Sequence, residues 1–369
     1  MATTPSPMEK RDLLSLRDLS REEMDHLFSL SHKLKREQGK RSSRRLLDGK
    51  TLALVFEKPS LRTRVTFETG MLQLGGQAVY LGPQEISLGV RETPADCARN
   101  LSRWMDLIVV RTSAQETLEE MARYATVPVI NGLTDLFHPC QVLADCFTLL
   151  ERKGKLEGLK IAFVGDGNNM AHSWIQAAEK LSFSFSLACP EGYEPNAEIL
   201  SAAKENGGRV LVTHRVEEAV QGADVIYTDV WTSMGQEEEL ETRRKAFRGY
   251  QVSEDVVARA DKDVVVMHCQ PAHRGEEITH EVLEGPHSLV FDQAENRLHL
   301  QKAVMVWVLG GMIGSAGKPR TTKIRPWYRS AALQGSPGHS SSRSRAGRSV
   351  VRPRRSRQVV RGKKAKRPR

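Results

Sequence analysis

The sequence predicts an α/β protein built as two doubly wound parallel-sheet domains joined by interdomain helices, with a disordered basic C-terminal tail. Three observations lead there. Short β-branched apolar runs alternate with helical patterns in two successive series, the signature of parallel strands with crossover helices. A length of 369 residues exceeds what one core usually serves, so two domains are expected. The charge is also unevenly placed. Of the 55 Lys and Arg, 18 fall in 318–369, which hold no Asp or Glu, and the 37 upstream face 45 acidic groups, a balance of −8. The formal net charge of +10 thus describes a tail and not the body.

In chain order, the first domain is expected over 1–152, with strands at 51–56, 107–110 and 127–130. It closes with a helix at 139–152, where Val142, Leu143, Cys146, Leu149 and Leu150 recur at helical spacing and Gly154 is the stop. The second domain is expected over 153–293, with strands at 160–164, 186–188, 210–212, 225–227, 264–267 and 289–291. A helix within 294–317, apolar from 295 to 309, is long enough to pack back on the first domain. From Leu333 the tail is almost wholly Ser, Arg, Gly, Pro and Lys, too little apolar surface to offset the entropy of ordering. Its blocks 352–357 and 361–369 could touch nucleic acid or anionic lipid nonspecifically, through charge alone. A solvated extension with no specific partner is the plainer reading of this segment, 318–369.

No apolar run approaches the roughly 18 residues of a membrane helix, and no secretory apolar segment opens the chain. The expected compartment is the cytoplasm. Cys97, Cys140, Cys146, Cys189 and Cys269, odd in number and without CxxC spacing, read as reduced thiols and not as disulfides or a structural zinc site.

In open parallel sheets ligands bind beyond the carboxyl ends of the strands, and the residues there are unusually polar. After the first strand comes PSLRTR. Ser60 is placed as an N-cap, so free backbone N–H groups and the positive helix end form an anion site, to which Arg62 and Arg64 add guanidinium groups. A capped helix with a solvated basic first turn is the alternative. Arg111 ends the run LIVV, where an Arg at the top of a buried strand usually has an anionic partner; a merely exposed strand end is the alternative. His138 and Gln141 open the interdomain helix, with Pro139 at its first position; a neutral His138 could donate to a carbonyl oxygen and Gln141 could hold an amide, or His138 is an ordinary cap. The second domain opens with KIAFVGDGNNMAHS. A dinucleotide fingerprint would need Gly at 170, and Met170 stands there. Asn168 and Asn169 are turn residues or donors to a ligand carboxylate. Asp229 could hold an ammonium, and His268 with Cys269 follow VVVM. The sequence spacing of His and Cys does not suggest a metal site. One domain thus offers anion binding and the other amino-acid binding, which fits a two-substrate transfer in a cleft between them.

These residues resemble the aspartate/ornithine carbamoyltransferase family over about 10–312. SLRTR at 60–64 is similar to the family's carbamoyl phosphate loop, HPCQ at 138–141 to its second signature, and DVWTSMGQE at 229–237 to the loop of its ornithine-specific branch. HCQP at 268–271 and AENR at 294–297 complete the set in the same order. The resemblance implies transfer of a carbamoyl group from carbamoyl phosphate to the δ-amine of L-ornithine, giving L-citrulline and phosphate, with no metal or organic cofactor. Ser60, Leu61, Arg62 and Thr63 would cradle phosphate. Arg111, His138 and Thr63 would polarise the carbamoyl oxygen. Gln141 would orient the carbamoyl amide, and Arg297 would reach the same ligand. Asn169, Asp229, Ser233 and Met234 would bind the ornithine backbone groups, and Cys269, with carbonyls near Gln270, would receive the δ-amine. A homotrimer, or a multiple of trimers, is implied.

Three departures stand out. Leu61 replaces the usual Thr, which is harmless if its N–H alone contacts phosphate. HCQP replaces HCLP, so Gln270 sets an amide against the ornithine chain. Ser87 matches a position where the family lends a longer Gln or His to the neighbouring subunit. Three rival readings follow: a carbamoyltransferase for putrescine or N-acetylornithine, kept open by Gln270; a nicotinamide-dependent oxidoreductase using the GDGNN turn; and a nucleic-acid-binding protein acting through its tail.

Overall fold

A computed structural model describes residues 10–38, 45–232 and 237–310. The tail expected over 318–369, like Ser233 and Met234, lies outside the described residues. Nine strands, β1 Thr51–Phe56, β2 Gln77–Leu81, β3 Leu107–Arg111, β4 Val129–Leu133, β5 Lys160–Val164, β6 Ser184–Ala188, β7 Arg209–Thr213, β8 Val225–Thr228 and β9 Val265–His268, are found among the described residues. The helices there are α1 Arg21–Glu37, α2 Leu61–Gln73, α3 Pro94–Trp104, α4 Gln115–Tyr124, α5 Pro139–Lys153, α6 Asn169–Leu181, α7 Ala197–Glu205, α8 Val216–Val220, α9 Leu240–Ala246, α10 Glu254–Val257, α11 His280–Leu283 and α12 Val290–Val308.

The strands form two sheets, ordered β2-β1-β3-β4 and β7-β6-β5-β8-β9, and every pairing is parallel. Both orders reverse direction beside the first strand of their sheet, so each is doubly wound as expected. Alternation within strands sorts the core. Leu52, Leu54 and Phe56 of β1 face a cluster that also takes Ile161 and Phe163 of β5, whereas Ala53 and Val55 face a second cluster and Ala162 and Val164 a third. The shared cluster runs through α5 and α12, so one apolar body fastens both sheets. Gly154 ends α5 in a left-handed conformation, φ +74°, which a side chain would strain.

Three expectations need correction. The strand expected at 289–291 is the start of α12: Leu289 caps it and Val290 is its first residue. Three apolar residues carry too little periodicity to separate strand from helix. The edge strand β2 was not anticipated, although AVYL at 78–81 is an apolar run as long as LIVV; it lies at the sheet edge and is only partly buried. Helix α12 also begins upstream of the expected 294, and it packs against α1, α2 and α5.

An N-terminal strap closes the free edge of β4. The Leu13 N–H donates to the Val129 carbonyl at 2.9 Å and its carbonyl accepts from Asn131 N at 2.8 Å. The strap then reaches α6, where Leu16 N donates to Gln176 Oε1 at 3.0 Å and Arg17 pairs with Glu179 at 2.7 Å. Among the described residues no helix is long and apolar enough to cross a membrane.

Candidate active site

Helix α2 starts where β1 ends, and Ser60 caps it: its Oγ accepts from Thr63 N at 3.3 Å. The first-turn N–H groups therefore point past the sheet, carrying the positive end of the helix dipole. Leu61 turns its side chain to solvent, 72% exposed, which leaves its backbone as the part facing the cleft. Arg64 does not join this site. It pairs with Glu68 one turn on and lies over the Tyr80 ring at 3.7 Å, so the sequence expectation of two phosphate-facing guanidinium groups reduces to Arg62.

Three cations and one histidine converge. Arg297 is buried in α12, with NH2 donating to Thr63 Oγ1 at 2.8 Å and NH1 donating to Gln141 Oε1. Arg111, 5% exposed at the end of β3, has an Nε with no hydrogen-bond partner. Burial, with the charges of Arg297 and Arg62 beside it, pushes the Arg111 guanidinium down to about 10, still charged at neutral pH. His138 occupies the N-cap position of α5 before Pro139, as the capping alternative has it, but its side chain makes no cap bond and is left to face the site. Its backbone N–H donates to Ser173 Oγ of α6 at 2.8 Å, and its Nδ1 is buried without a partner. Burial and the adjacent Arg297, Arg111 and Arg62 hold this imidazole well below its ordinary range, hence neutral. A neutral donor beside guanidinium groups is what an accumulating oxyanion requires.

Opposite them stands a polar group from the second sheet. Asn168 caps α6, its Oδ1 accepting from Met170 N and Ala171 N, while its Nδ2 donates to Asp229 Oδ2 at 3.0 Å. Asp229 Oδ1 accepts from Val230 N at 2.8 Å and from the Cys269 thiol at 2.9 Å. Burial and that carboxylate push the thiol well above its usual range, so Cys269 keeps its proton. Asn169 Nδ2 reaches the Thr134 carbonyl at 2.7 Å, tying α6 to the first domain. Arg62 lies close enough to Cys269 and Asp229 for their charges to act on it, which brings the two groups within electrostatic reach of each other. Gln270 takes φ +60°, with its N–H donating to His268 Nδ1 at 2.8 Å, so His268 Nε2 carries the hydrogen given to Glu277 at 3.0 Å.

Residues far apart in sequence supply what spacing concealed. Asp229, His268 and Cys269 bring ligand-type atoms within 4.8 Å of one another, a cluster the sequence spacing did not suggest. Their donors and acceptors are already engaged with one another, with Glu277 and with Gln270 N. The GDGNN turn is likewise filled. A side chain on Gly167 would put its Cβ 2.4 Å from Pro195 N, so the bare backbone serves close protein packing where a dinucleotide fold would admit pyrophosphate.

Two family models cover this architecture. The carbamoyl-P binding domain of aspartate/ornithine carbamoyltransferases matches residues 11–151, and the Asp/Orn binding domain matches residues 157–308. The chain belongs to the aspartate/ornithine carbamoyltransferase family. Among its relatives, the ornithine carbamoyltransferase of Geobacter metallireducens is 52% identical over 300 residues, covering 81% of this chain and 99% of that protein. The anabolic ornithine carbamoyltransferase of Pyrococcus furiosus is 52% identical over 306 residues, covering 82% and 97%. The solved structure of the ornithine carbamoyltransferase from Pyrococcus furiosus superposes with a TM-score of 0.79 at 51% identity, over 83% of this chain and 99% of that one. That from Thermus thermophilus gives 0.75 at 44% identity, over 82% and 100%. As a carbamoyltransferase, the chain has its guanidinium cluster in the half matched by the carbamoyl-P model and Asp229 with Cys269 in the half matched by the Asp/Orn model.

Proposed function

We propose that this carbamoyltransferase transfers the carbamoyl group of carbamoyl phosphate to the δ-amine of L-ornithine, yielding L-citrulline and phosphate. The observation that carries the reading is the gathering of Arg62, Arg111, His138 and Arg297 within reach of one another, Arg297 bonded to Thr63 and Gln141, with Asp229 and Cys269 within reach of Arg62. The names of the relatives support it.

In this reading Ser60, Leu61, Arg62 and Thr63 hold phosphate at the start of α2. Arg111, His138 and Thr63 polarise the carbamoyl oxygen, Gln141 orients the amide, and Arg297 contacts the same ligand. Asn169 and Asp229 take the ornithine backbone groups; Ser233 and Met234 belong with them by motif. Cys269 and the carbonyls near Gln270 receive the δ-amine. That amine must lose its proton before it attacks, and a dry cleft disfavours the ammonium form. Attack on the carbamoyl carbon gives a tetrahedral oxyanion, stabilised by Arg111 and the N–H of neutral His138. The C–O bond to phosphate then breaks, and phosphate leaves onto Arg62 and the α2 terminus. Holding both substrates between the sheets supplies proximity.

Phosphate release with carbamoyl phosphate and ornithine, putrescine, N-acetylornithine or aspartate tests the assignment. Ornithine should be preferred by at least about tenfold, the order of a missing charged contact. Preference for putrescine or N-acetylornithine would replace ornithine as substrate, and release with none of the four would remove the transferase reading.

We also propose a homotrimer, or a multiple of trimers. Leu61 (72% exposed), Val65 (47%) and Leu72 (70%) recur along one face of α2, an apolar stripe that a second copy could cover. Sedimentation of a single chain would exclude it. The cytoplasm is the compartment we propose, supported by five free cysteines; thiol titration of the isolated, denatured protein should count all five.

A further inference from the structure

Asp145 is fully buried on α5, one turn beyond Gln141, and belongs to no motif that suggested the function. Its surroundings consist of donors. Oδ1 accepts from Gln141 Nε2 at 2.8 Å and from Gln293 Nε2 at 2.8 Å, and Oδ2 accepts from the Tyr227 hydroxyl at 2.9 Å. The braces are themselves held. Tyr227 is a β8 residue stacked on Phe163 at 5.4 Å, and Gln293 uses its Oε1 to accept from His268 N at 3.0 Å. Gln141 is therefore clamped at both ends, its oxygen facing the Arg297 guanidinium and its nitrogen facing Asp145.

We infer that Asp145 is a positioning residue that acts through Gln141, fixing which end of that amide faces the carbamoyl group. The inference rests on the carbamoyltransferase reading of the cleft. An amide can present a donor or an acceptor by a half-turn about its last torsion, and nothing in its shape decides between them. Arg297 rewards one orientation with a charge-assisted bond, and Asp145 rewards the same orientation from the other side. The carbamoyl NH2 then meets the free lone pair of Gln141 Oε1. A carboxylate is suited to the place because three donors converge on it. Burial pushes it up to about 7 against the hydrogen bonds from Gln141, Tyr227 and Gln293 that favour the charged form. Retaining a titratable acid in so dry a position implies a use for its two acceptor atoms.

A double-mutant cycle tests this, with kcat/KM for carbamoyl phosphate as the readout. Asp145→Ala is expected to lower it about 100-fold in the wild-type background, a loss of the size a misplaced contact group brings, and only a few-fold when Gln141 is already Ala. Equal losses in both backgrounds would overturn the inference, since Asp145 would then act independently of Gln141. Should Asp145→Ala fail to fold, Asp145→Asn, which takes the negative charge from the bond that holds Gln141 and gives one end of the group a donor in place of an acceptor, gives a second reading. Its KM for carbamoyl phosphate should rise while its KM for ornithine stays within twofold; a rise in both, or in neither, would overturn the inference. Wild-type turnover is measured first. Its absence would count against the carbamoyltransferase reading, whereas an additive cycle in an active enzyme counts against the role of Asp145 alone.

Discussion

Replacing Arg111 with Ala is expected to lower kcat roughly 1000-fold while leaving the chain folded and no less heat-stable. The first half follows from where the guanidinium sits. It ends β3, is 5% exposed, and lies beside Arg62, Arg297 and His138. A single oxyanion donor is worth about 100- to 1000-fold in kcat, and a charged donor in a dry cleft belongs at the upper end. The second half follows from its cost. Burial and two like charges depress its proton affinity, so the folded chain bears an unfavourable charge that the unfolded chain does not. Removing it trades lost packing for relief of that repulsion, the pattern expected where a site is organised for chemistry at the expense of stability. Arg111→Lys should not restore the rate, because a point charge lacks the planar fork. Steady-state kinetics and a thermal melt without ligand check both halves. Retention of more than a tenth of kcat would remove Arg111 from the proposed mechanism, and a large drop in Tm would make it a structural residue.

Much of the fold was legible because parallel strands in a doubly wound sheet are buried on both faces and read as continuous runs. LALVF, LIVV, KIAFV and VVVM each became a strand, at β1, β3, β5 and β9. The first failure has the same cause in reverse. The β2 strand lies at a sheet edge and is only partly buried, and its four-residue run AVYL stands between Gly-Gly-Gln and Gly-Pro without the bulky aliphatic content of the central strands. The triplet at 289–291 forms an apolar run, but it opens the helix read from 295 onward, and three apolar residues before Asp292 are too few to show to which element they belong.

The site was legible where position alone carries chemistry. Ligands in open α/β sheets bind beyond the strand ends, and reading just past each strand selected Ser60, Arg62, Arg111, His138, Gln141, Asn169, Asp229 and Cys269 as candidates. It misplaced Arg64, although the Glu68 four residues on is a helix-pair signal visible in the sequence. Asp145, Tyr227 and Gln293 were out of reach for a different reason. Each is a polar residue inside an apolar pattern, and its meaning depends on partners 82 and 148 positions away. Arg297 came through the resemblance alone. Nothing in α12 distinguishes it from a solvated cation until its bonds to Thr63 and Gln141 are seen.

Asp229→Asn is expected to cost ornithine about 100- to 1000-fold in kcat/KM, to leave the KM for carbamoyl phosphate nearly unchanged, and to cost 5-aminovalerate, which lacks the α-amino group, far less. The carboxylate is 6% exposed and accepts from three donors, Asn168 Nδ2, Val230 N and the Cys269 thiol. An amide presents a donor to one of them and deletes the negative charge, so an incoming ammonium group loses its counterion in a desolvated place. Hydrogen bonds to charged groups contribute about 1.5–3 kcal/mol, and the unsatisfied donor adds to the loss, which sums to the stated range. Carbamoyl phosphate meets the opposite wall, built from α2, β3 and α5, and should not register the change. 5-Aminovalerate supplies the sharper test. It carries the attacking amine and the carboxylate but no α-amino group, so if Asp229 holds the α-amino end, the substitution deletes a contact 5-aminovalerate never made. The ratio of ornithine to 5-aminovalerate turnover should therefore collapse toward one in the variant. Equal losses on both substrates would move Asp229 to the other end of the substrate, beside Cys269 and the reacting δ-amine, and would leave recognition of the amino-acid end to Asn169 and the loop after Trp231.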